Sequence, residues 1–116
     1  MGRQTWHVER NGAVLTLARH WPPRFDVEAE TSMPDARRLR LAHQIRQDMW
    51  RRLQRVRGFS PVVRVERQGA DLIVRAGGRV LAPFDKARIN QQLILLLTDP
   101  DLRERWSRHA RLDDAA

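Results

Sequence analysis

The residues best suited to chemistry are the arginines of one short segment. Between residues 34 and 57, eight arginines stand against two aspartates, which leaves +6 of the chain's net charge of +8. Guanidinium groups bind carboxylates or phosphates through paired hydrogen bonds. In a helix, four of these arginines share one side and could contact an acidic partner: Arg37, Arg40, Arg51 and Arg55. The alternative is a solvated helix face, since long polar side chains commonly coat surface helices.

Trp50 lies at the border of this polar side in helical projection. Tryptophan beside arginine is typical of interface hot spots, so Trp50 is the fifth predicted partner-binding residue. It could equally close the edge of the core. Trp106 holds the matching place in the second half of the chain, which favours a shared packing role for both.

Catalytic and metal-binding motifs are missing from the sequence. The four histidines show no paired metal-ligand spacing, the serines lie in no G-x-S-x-G turn, and the chain has no cysteine and no tyrosine. Gly77-Gly78-Arg79 lacks the spacing of a phosphate-binding loop and is better explained as a strand turn. We therefore expect a non-enzymatic protein without a cofactor, a metal or a small-molecule substrate.

The composition favours an anionic partner. The 116 residues include 21 arginines and the single lysine Lys86. The preference for arginine is what a GC-rich genome supplies, but the net surplus attracts nucleic acid or acidic protein surfaces whatever its origin. No apolar run approaches the roughly 20 residues that span a bilayer, and the lack of cysteine suits a reducing compartment. A cytoplasmic protein without a membrane span is expected.

Two similar stretches indicate β-hairpins. Val8 to Ala13 reads VERNGA and Val65 to Ala70 reads VERQGA. Two-residue turns at Asn11-Gly12 and Gln68-Gly69 would pair Val8 with Leu15 and Val65 with Leu72. This agreement predicts a possible internal duplication with half-repeats 5–57 and 61–112.

Further elements complete each half. Phe25 to Glu30 alternates like a strand, and Arg79 to Ala82 predicts another strand after the Gly77-Gly78 turn. Ser32 would cap a first helix over 34–57 with the apolar stripe Leu39, Ala42, Ile45, Met49, Leu53 and Val56. Asp85 would cap a second helix that runs to about Leu97, and Asp99 a third that contains Trp106.

The whole chain, residues 1–116, is predicted to form a single α+β domain. An antiparallel sheet of two ββ(β)α units would carry helices on one face. Acidic and basic strand surfaces would form intramolecular ion pairs, or a homo-oligomer as the alternative. The favoured function is that of an accessory or regulatory protein that docks an acidic protein through the basic helix. Nucleic-acid binding through the same helix is the alternative, although the sequence shows no row of aromatic residues that could stack bases.

Overall fold

One five-stranded antiparallel sheet organises the molecule, in the order β1-β2-β4-β5-β3. The computed structural model describes residues 5–111. The strands are β1 (His7–Asn11), β2 (Val14–Ala18), β3 (Val27–Pro34), β4 (Phe59–Gln68) and β5 (Asp71–Val80). The helices are α1 (Arg38–Leu53), α2 (Lys86–Thr98) and α3 (Pro100–Ala110). The three helices pack against the sheet, which confirms the predicted α+β fold.

Both predicted hairpins form, but their register differs from the expectation by two residues. Val8 pairs with Leu17 rather than Leu15, and Val65 pairs with Val74 rather than Leu72. The turns are centred on Gly12-Ala13 and Gly69-Ala70, so each glycine takes the first central position with φ of 61°. A shift of two keeps every side chain on its predicted face, because strand side chains alternate.

The strand expected at Arg79 to Ala82 does not exist as a separate element. Instead β5 continues through Gly77 and Gly78 to Val80. A Cβ atom on Gly77 would lie 1.9 Å from the carbonyl oxygen of Val27, and one on Gly78 would lie 2.0 Å from that of Ser60. These glycines therefore permit close contact with the neighbouring strands and do not form a turn.

The predicted start of the first helix is also wrong. Ser32 and Pro34 belong to β3, where Pro34 is the last paired residue of an edge strand, a position that tolerates proline. Helix α1 begins only at Arg38, and its N-cap Arg37 makes no side-chain cap. The Arg37 amide donates to the carbonyl oxygen of Ala110 at 2.8 Å, so the end of α3 is joined to the start of α1.

The caps of α2 and α3 agree with the sequence prediction. Asp85 accepts a hydrogen bond from the amide of Arg88, and Asp99 accepts from the amides of Asp101 and Leu102. Such caps satisfy amides that have no partner inside the helix. Arg103 then joins three elements, since it donates to the Thr31 hydroxyl and to the carbonyls of Ser32 and Leu97.

A single hydrophobic core lies between the sheet and the helices. Leu15, Val63 and Val74 enter it from the strands, and Ile45 and Leu93 from the helices. Of the apolar stripe predicted for the first helix, Ala42, Ile45, Met49 and Leu53 are buried in this core, while Leu39 and Val56 are partly buried at its edge. Leu41, which the prediction omitted, is fully buried.

The connection from β2 to β3 crosses the sheet on the face away from the helices. Phe25 in this connection lies between the guanidinium groups of Arg64 and Arg75, with 5.8 and 5.7 Å from each Cζ atom to the ring centroid. Arg75 also pairs with Glu28 at 3.2 Å and with Glu30 at 3.6 Å. The acidic and basic strand surfaces thus form intramolecular pairs, as predicted.

The structure does not confirm the internal duplication. The first half contains three strands and one helix, whereas the second contains two strands and two helices. In addition, β3 pairs with β5 of the second half and not with its own hairpin.

Among residues 5–111, none of the three helices combines the length and the apolar character needed to cross a bilayer.

Candidate basic docking surface

Helix α1 and its flanking residues carry the five predicted partner-binding residues. Arg40 and Arg51 lie on the exposed side of the helix, and Trp50 is 49% exposed. Arg37 is the exposed N-cap, and Arg55 follows the C-cap Gln54 and is exposed. The predicted helix over 34–57 is therefore too long at both ends, because β3 occupies its start and the chain turns toward Gly58, where φ is 69°.

Asp48 is the acidic residue of α1, and it is buried. Its side chain is 9% exposed and points toward α3. It accepts a hydrogen bond from Trp106 Nε1 at 2.7 Å, contacts Arg105 Nη2 and pairs with Arg51 Nη1 at 3.3 Å. One carboxylate thus serves two arginines and an indole, which leaves this cluster with a net positive charge.

The outer surface of α1 consequently has no carboxylate of its own. Asp48 is the only acidic residue between Arg38 and Leu53, and it is buried. Arg40 forms no ion pair within residues 5–111, whereas Arg51, 68% exposed, reaches Asp48 along the helix. We define the basic surface of α1 as Arg37, Arg40, Arg51 and Arg55.

The two tryptophans that seemed equivalent in sequence occupy different environments. Trp106 is fully buried, whereas Trp50 is 49% exposed. The expectation of a shared packing role is therefore wrong. Trp106 has a structural role in the core, and Trp50 remains free to contact a partner.

A second feature that the sequence did not reveal is a pocket beside Trp50, here called the tryptophan pocket. It has a volume of about 280 Å³. Its lining consists of Trp6, Arg19, His20, Arg46, Trp50, Phe59 and Pro61. These residues come from four segments of the chain, so no sequence spacing could have indicated their proximity.

Arg46 is the central cation of the tryptophan pocket. Its Cζ atom lies 4.6 Å from the centroid of the Trp6 ring, within the range of a cation–π contact. Its Nε donates to Nδ1 of His43 at 3.2 Å, and the His43 ring meets Trp6 edge to face with centroids 6.4 Å apart. Burial lowers the pKa of His43, and the Arg46 charge lowers it further. His43 is therefore neutral near pH 7 and can accept the Arg46 hydrogen bond.

No carboxylate lines the tryptophan pocket. Burial lowers the pKa of Arg46 below its usual value, yet a guanidinium group keeps its charge in proteins. The pocket therefore combines indole faces with uncompensated positive charge. The sequence shows no row of aromatic residues, but tertiary packing places Trp6 and Trp50 beside Arg19 and Arg46.

A third feature, the α1–α2 groove, opens between the end of α1 and the start of α2. Its volume is about 650 Å³. Leu53, Val56, Phe84 and Ile89 form its apolar floor. Its rim carries Arg52, Arg55, Arg57, Arg88 and Asp85.

A histidine–serine contact is the closest approach to a catalytic arrangement. His20 Nδ1 lies 2.6 Å from the Ser60 hydroxyl. Ser60 is only 4% exposed, however, and within residues 5–111 no carboxylate hydrogen-bonds to His20. Desolvation lowers the pKa of His20, and the charges of Arg19 and Arg79 add to this effect. A buried serine without an oriented base does not have the geometry of a nucleophile.

Metal-binding clusters are also absent from the described part of the chain. In residues 5–111, no three side chains of His, Asp or Glu come together in a way that could hold an ion.

No protein-family model matches the chain, and neither a curated protein nor a solved structure is significantly similar to it.

Proposed function

We propose that this protein is a non-enzymatic accessory or regulatory protein that docks an acidic protein partner through the basic surface of α1. The observation that carries the proposal is the burial of Asp48, which removes the only carboxylate from the exterior of this helix. Arg40 and Arg55 form no ion pair within residues 5–111. Such exposed positive charge is electrostatically complementary to an acidic surface and speeds association with it.

Trp50 supplies the apolar contact in this proposal. Charged contacts at a rim contribute little affinity, whereas a tryptophan that becomes fully desolvated can contribute a large share. Because Trp50 is half exposed, precedes Arg51 in α1 and lies beside Arg46 in the tryptophan pocket, it suits the centre of an interface.

The proposal is tested by affinity capture from nuclease-treated lysate, with wild type and variants compared. We expect one stoichiometric protein companion. Trp50→Ala should weaken its retention by at least about tenfold, and Arg40→Ala by less. Trp21→Ala is the matched control, because Trp21 is 41% exposed but lies outside α1. Equal effects of Trp50→Ala and Trp21→Ala would contradict the proposal.

A second candidate function, binding of single-stranded nucleic acid, is favoured by the tryptophan pocket. Trp50 offers a half-exposed ring for stacking, while Arg19 and Arg46 offer charges that phosphates bind. Base–aromatic stacking and guanidinium–phosphate contacts together are the usual means of binding single strands.

Binding of a labelled oligothymidine tests this second candidate. The logarithm of affinity should fall steeply with the logarithm of salt concentration, and Arg19→Ala with Arg46→Ala should reduce that slope. Weak binding with a flat salt response would exclude nucleic acid.

A further inference from the structure

The α1–α2 groove has the chemistry of a peptide-binding site. Its floor is apolar. Leu53 is 3% exposed, Ile89 is 6% exposed and Phe84 is 38% exposed. Its volume of about 650 Å³ lies within the roughly 300–1,000 Å³ of typical ligand pockets. Apolar side chains of a partner could therefore be buried there.

The rim of the groove is strongly basic. Four arginines surround the floor, and none of them forms an ion pair with another residue of the described chain. The one carboxylate at the rim, Asp85, accepts a hydrogen bond from the Arg88 amide as the cap of α2. The charges that face an occupant are therefore predominantly positive.

Exposed apolar side chains also occur farther along α2. Arg88, Gln92 and Leu95 follow one another at four- and three-residue spacing, which places them along one side of the helix. Leu95 is 48% exposed, and its neighbour Ile94 is 46% exposed. Leu95 lies beyond the groove, whose lining on α2 ends at Gln92.

We propose that the α1–α2 groove binds an acidic amphipathic helix of a partner protein. Its apolar residues would lie against Val56, Phe84 and Ile89, and its flanking carboxylates would pair with Arg55, Arg57 and Arg88. Charge complementarity selects this occupant, since an unpaired basic rim around an apolar floor favours acidic residues on either side of an apolar stripe. The inference rests on the proposed function, because it specifies which kind of segment of the acidic partner would bind beside the end of α1.

The test uses a fluorescein-labelled synthetic helical peptide with leucines at three- and four-residue spacing and glutamates on both sides of that stripe. Fluorescence anisotropy with the full chain should show saturable binding. A scrambled peptide of identical composition and a peptide with lysine in place of glutamate are the ligand controls. Both should bind at least about tenfold more weakly, because one loses the apolar stripe and the other the charge complementarity.

Two variants test the location. Phe84→Ser removes part of the floor, and Arg88→Glu reverses one rim charge in the first turn of α2. Glutamate at that position completes a capping box with Asp85, so the fold should be retained. Each variant should weaken binding by about tenfold. Leu81→Ser and Arg10→Glu are the matched controls, because both residues are exposed and lie outside the groove. They should bind like wild type.

The outcomes that overturn the inference are distinct. Equal binding of the scrambled peptide would show a purely electrostatic attraction. Full competition by oligothymidine at the groove would identify nucleic acid as its occupant, and self-association abolished by Phe84→Ser would identify a second copy. If Trp50→Ala abolishes partner capture while Phe84→Ser and Arg88→Glu affect neither capture nor peptide binding, the groove proposal fails and the proposed function of α1 stands.

Discussion

Trp106 donates its indole N–H to Asp48 at 2.7 Å and thereby joins the buried side of α1 to the middle of α3. This hydrogen bond explains why an aspartate sits among Ile45 and Met49 in the core. Buried carboxylates are stable only when their oxygens are hydrogen-bonded or paired, and Asp48 has both kinds of partner.

Replacing Asp48 should therefore destabilise the fold. Asp48→Ala leaves the Trp106 N–H and the Arg105 guanidinium without their acceptor, and we expect a loss of about 3 kcal/mol in the free energy of unfolding. Asp48→Asn keeps an oxygen for Trp106 and should cost less. Arg51→Ala, at a side chain 68% exposed, should change stability by no more than about 1 kcal/mol. Urea denaturation measures all three, and similar losses for Asp48→Ala and Arg51→Ala would contradict this account.

The two tryptophans should differ in their effect on stability. Trp106→Ala empties a fully buried site and should cost about 3–5 kcal/mol. Trp50→Ala removes a half-exposed side chain and should cost less than about 1 kcal/mol. Thermal unfolding of the two variants distinguishes them. If Trp50→Ala unfolds as readily as Trp106→Ala, then Trp50 has a packing role and its assignment as a partner contact fails.

Stability should decrease below neutral pH because of His43. Burial, followed by the charge of Arg46, lowers the pKa of His43 in the folded chain. The unfolded chain then binds the proton more tightly, so the free energy of unfolding falls as the pH drops below about 6.5 and is fully retained above it. His43→Gln should reduce this dependence. Urea denaturation between pH 8 and pH 5 measures it, with roughly half-unit pH steps chosen to resolve a histidine titration.

His20 should also lower the free energy of unfolding as the pH falls, since its pKa is lowered in the folded chain too. His43→Gln should therefore leave some pH dependence, and His20→Gln together with His43→Gln should leave less. An unchanged profile in the double variant would show that neither imidazole is responsible.

Gly77 should not tolerate a side chain. In Gly77→Ala the new Cβ would meet the Val27 carbonyl oxygen at 1.9 Å, and neither strand can move without disturbing the sheet. We expect a loss of at least about 3 kcal/mol. Gly69→Ala is the control, because its Cβ would meet nothing within 4 Å and only the φ of 61° opposes it, which costs roughly 1–2 kcal/mol. Equal losses would contradict the steric explanation.

Local patterns predicted the hairpins, the caps of α2 and α3, and the apolar stripe from Ala42 to Leu53. These local patterns failed where tertiary contacts determined the conformation or the burial of a residue. Ser32 and Pro34 resemble the start of a helix, but pairing of β3 with β5 keeps both residues extended. Asp48 has the helical position of a residue at the border of the polar face, and only the position of α3 turns it into a buried acceptor.

The site was less predictable than the fold. Arginine content correctly indicated that α1 is basic, and the exposure of Arg40 follows from helical periodicity. The tryptophan pocket could not be anticipated, because Trp6, Arg46 and Phe59 are brought together only by tertiary packing.

The strand order has a consequence for biosynthesis. Strand β3 hydrogen-bonds only to β5. The ribosome must therefore synthesise α1, β4 and β5 before β3 can pair. A nascent polypeptide released before Val80 would leave Val27 and Met33 facing water, and it would be a substrate for chaperones or proteases. The amino-terminal half is therefore a poor candidate for expression as an independent fragment.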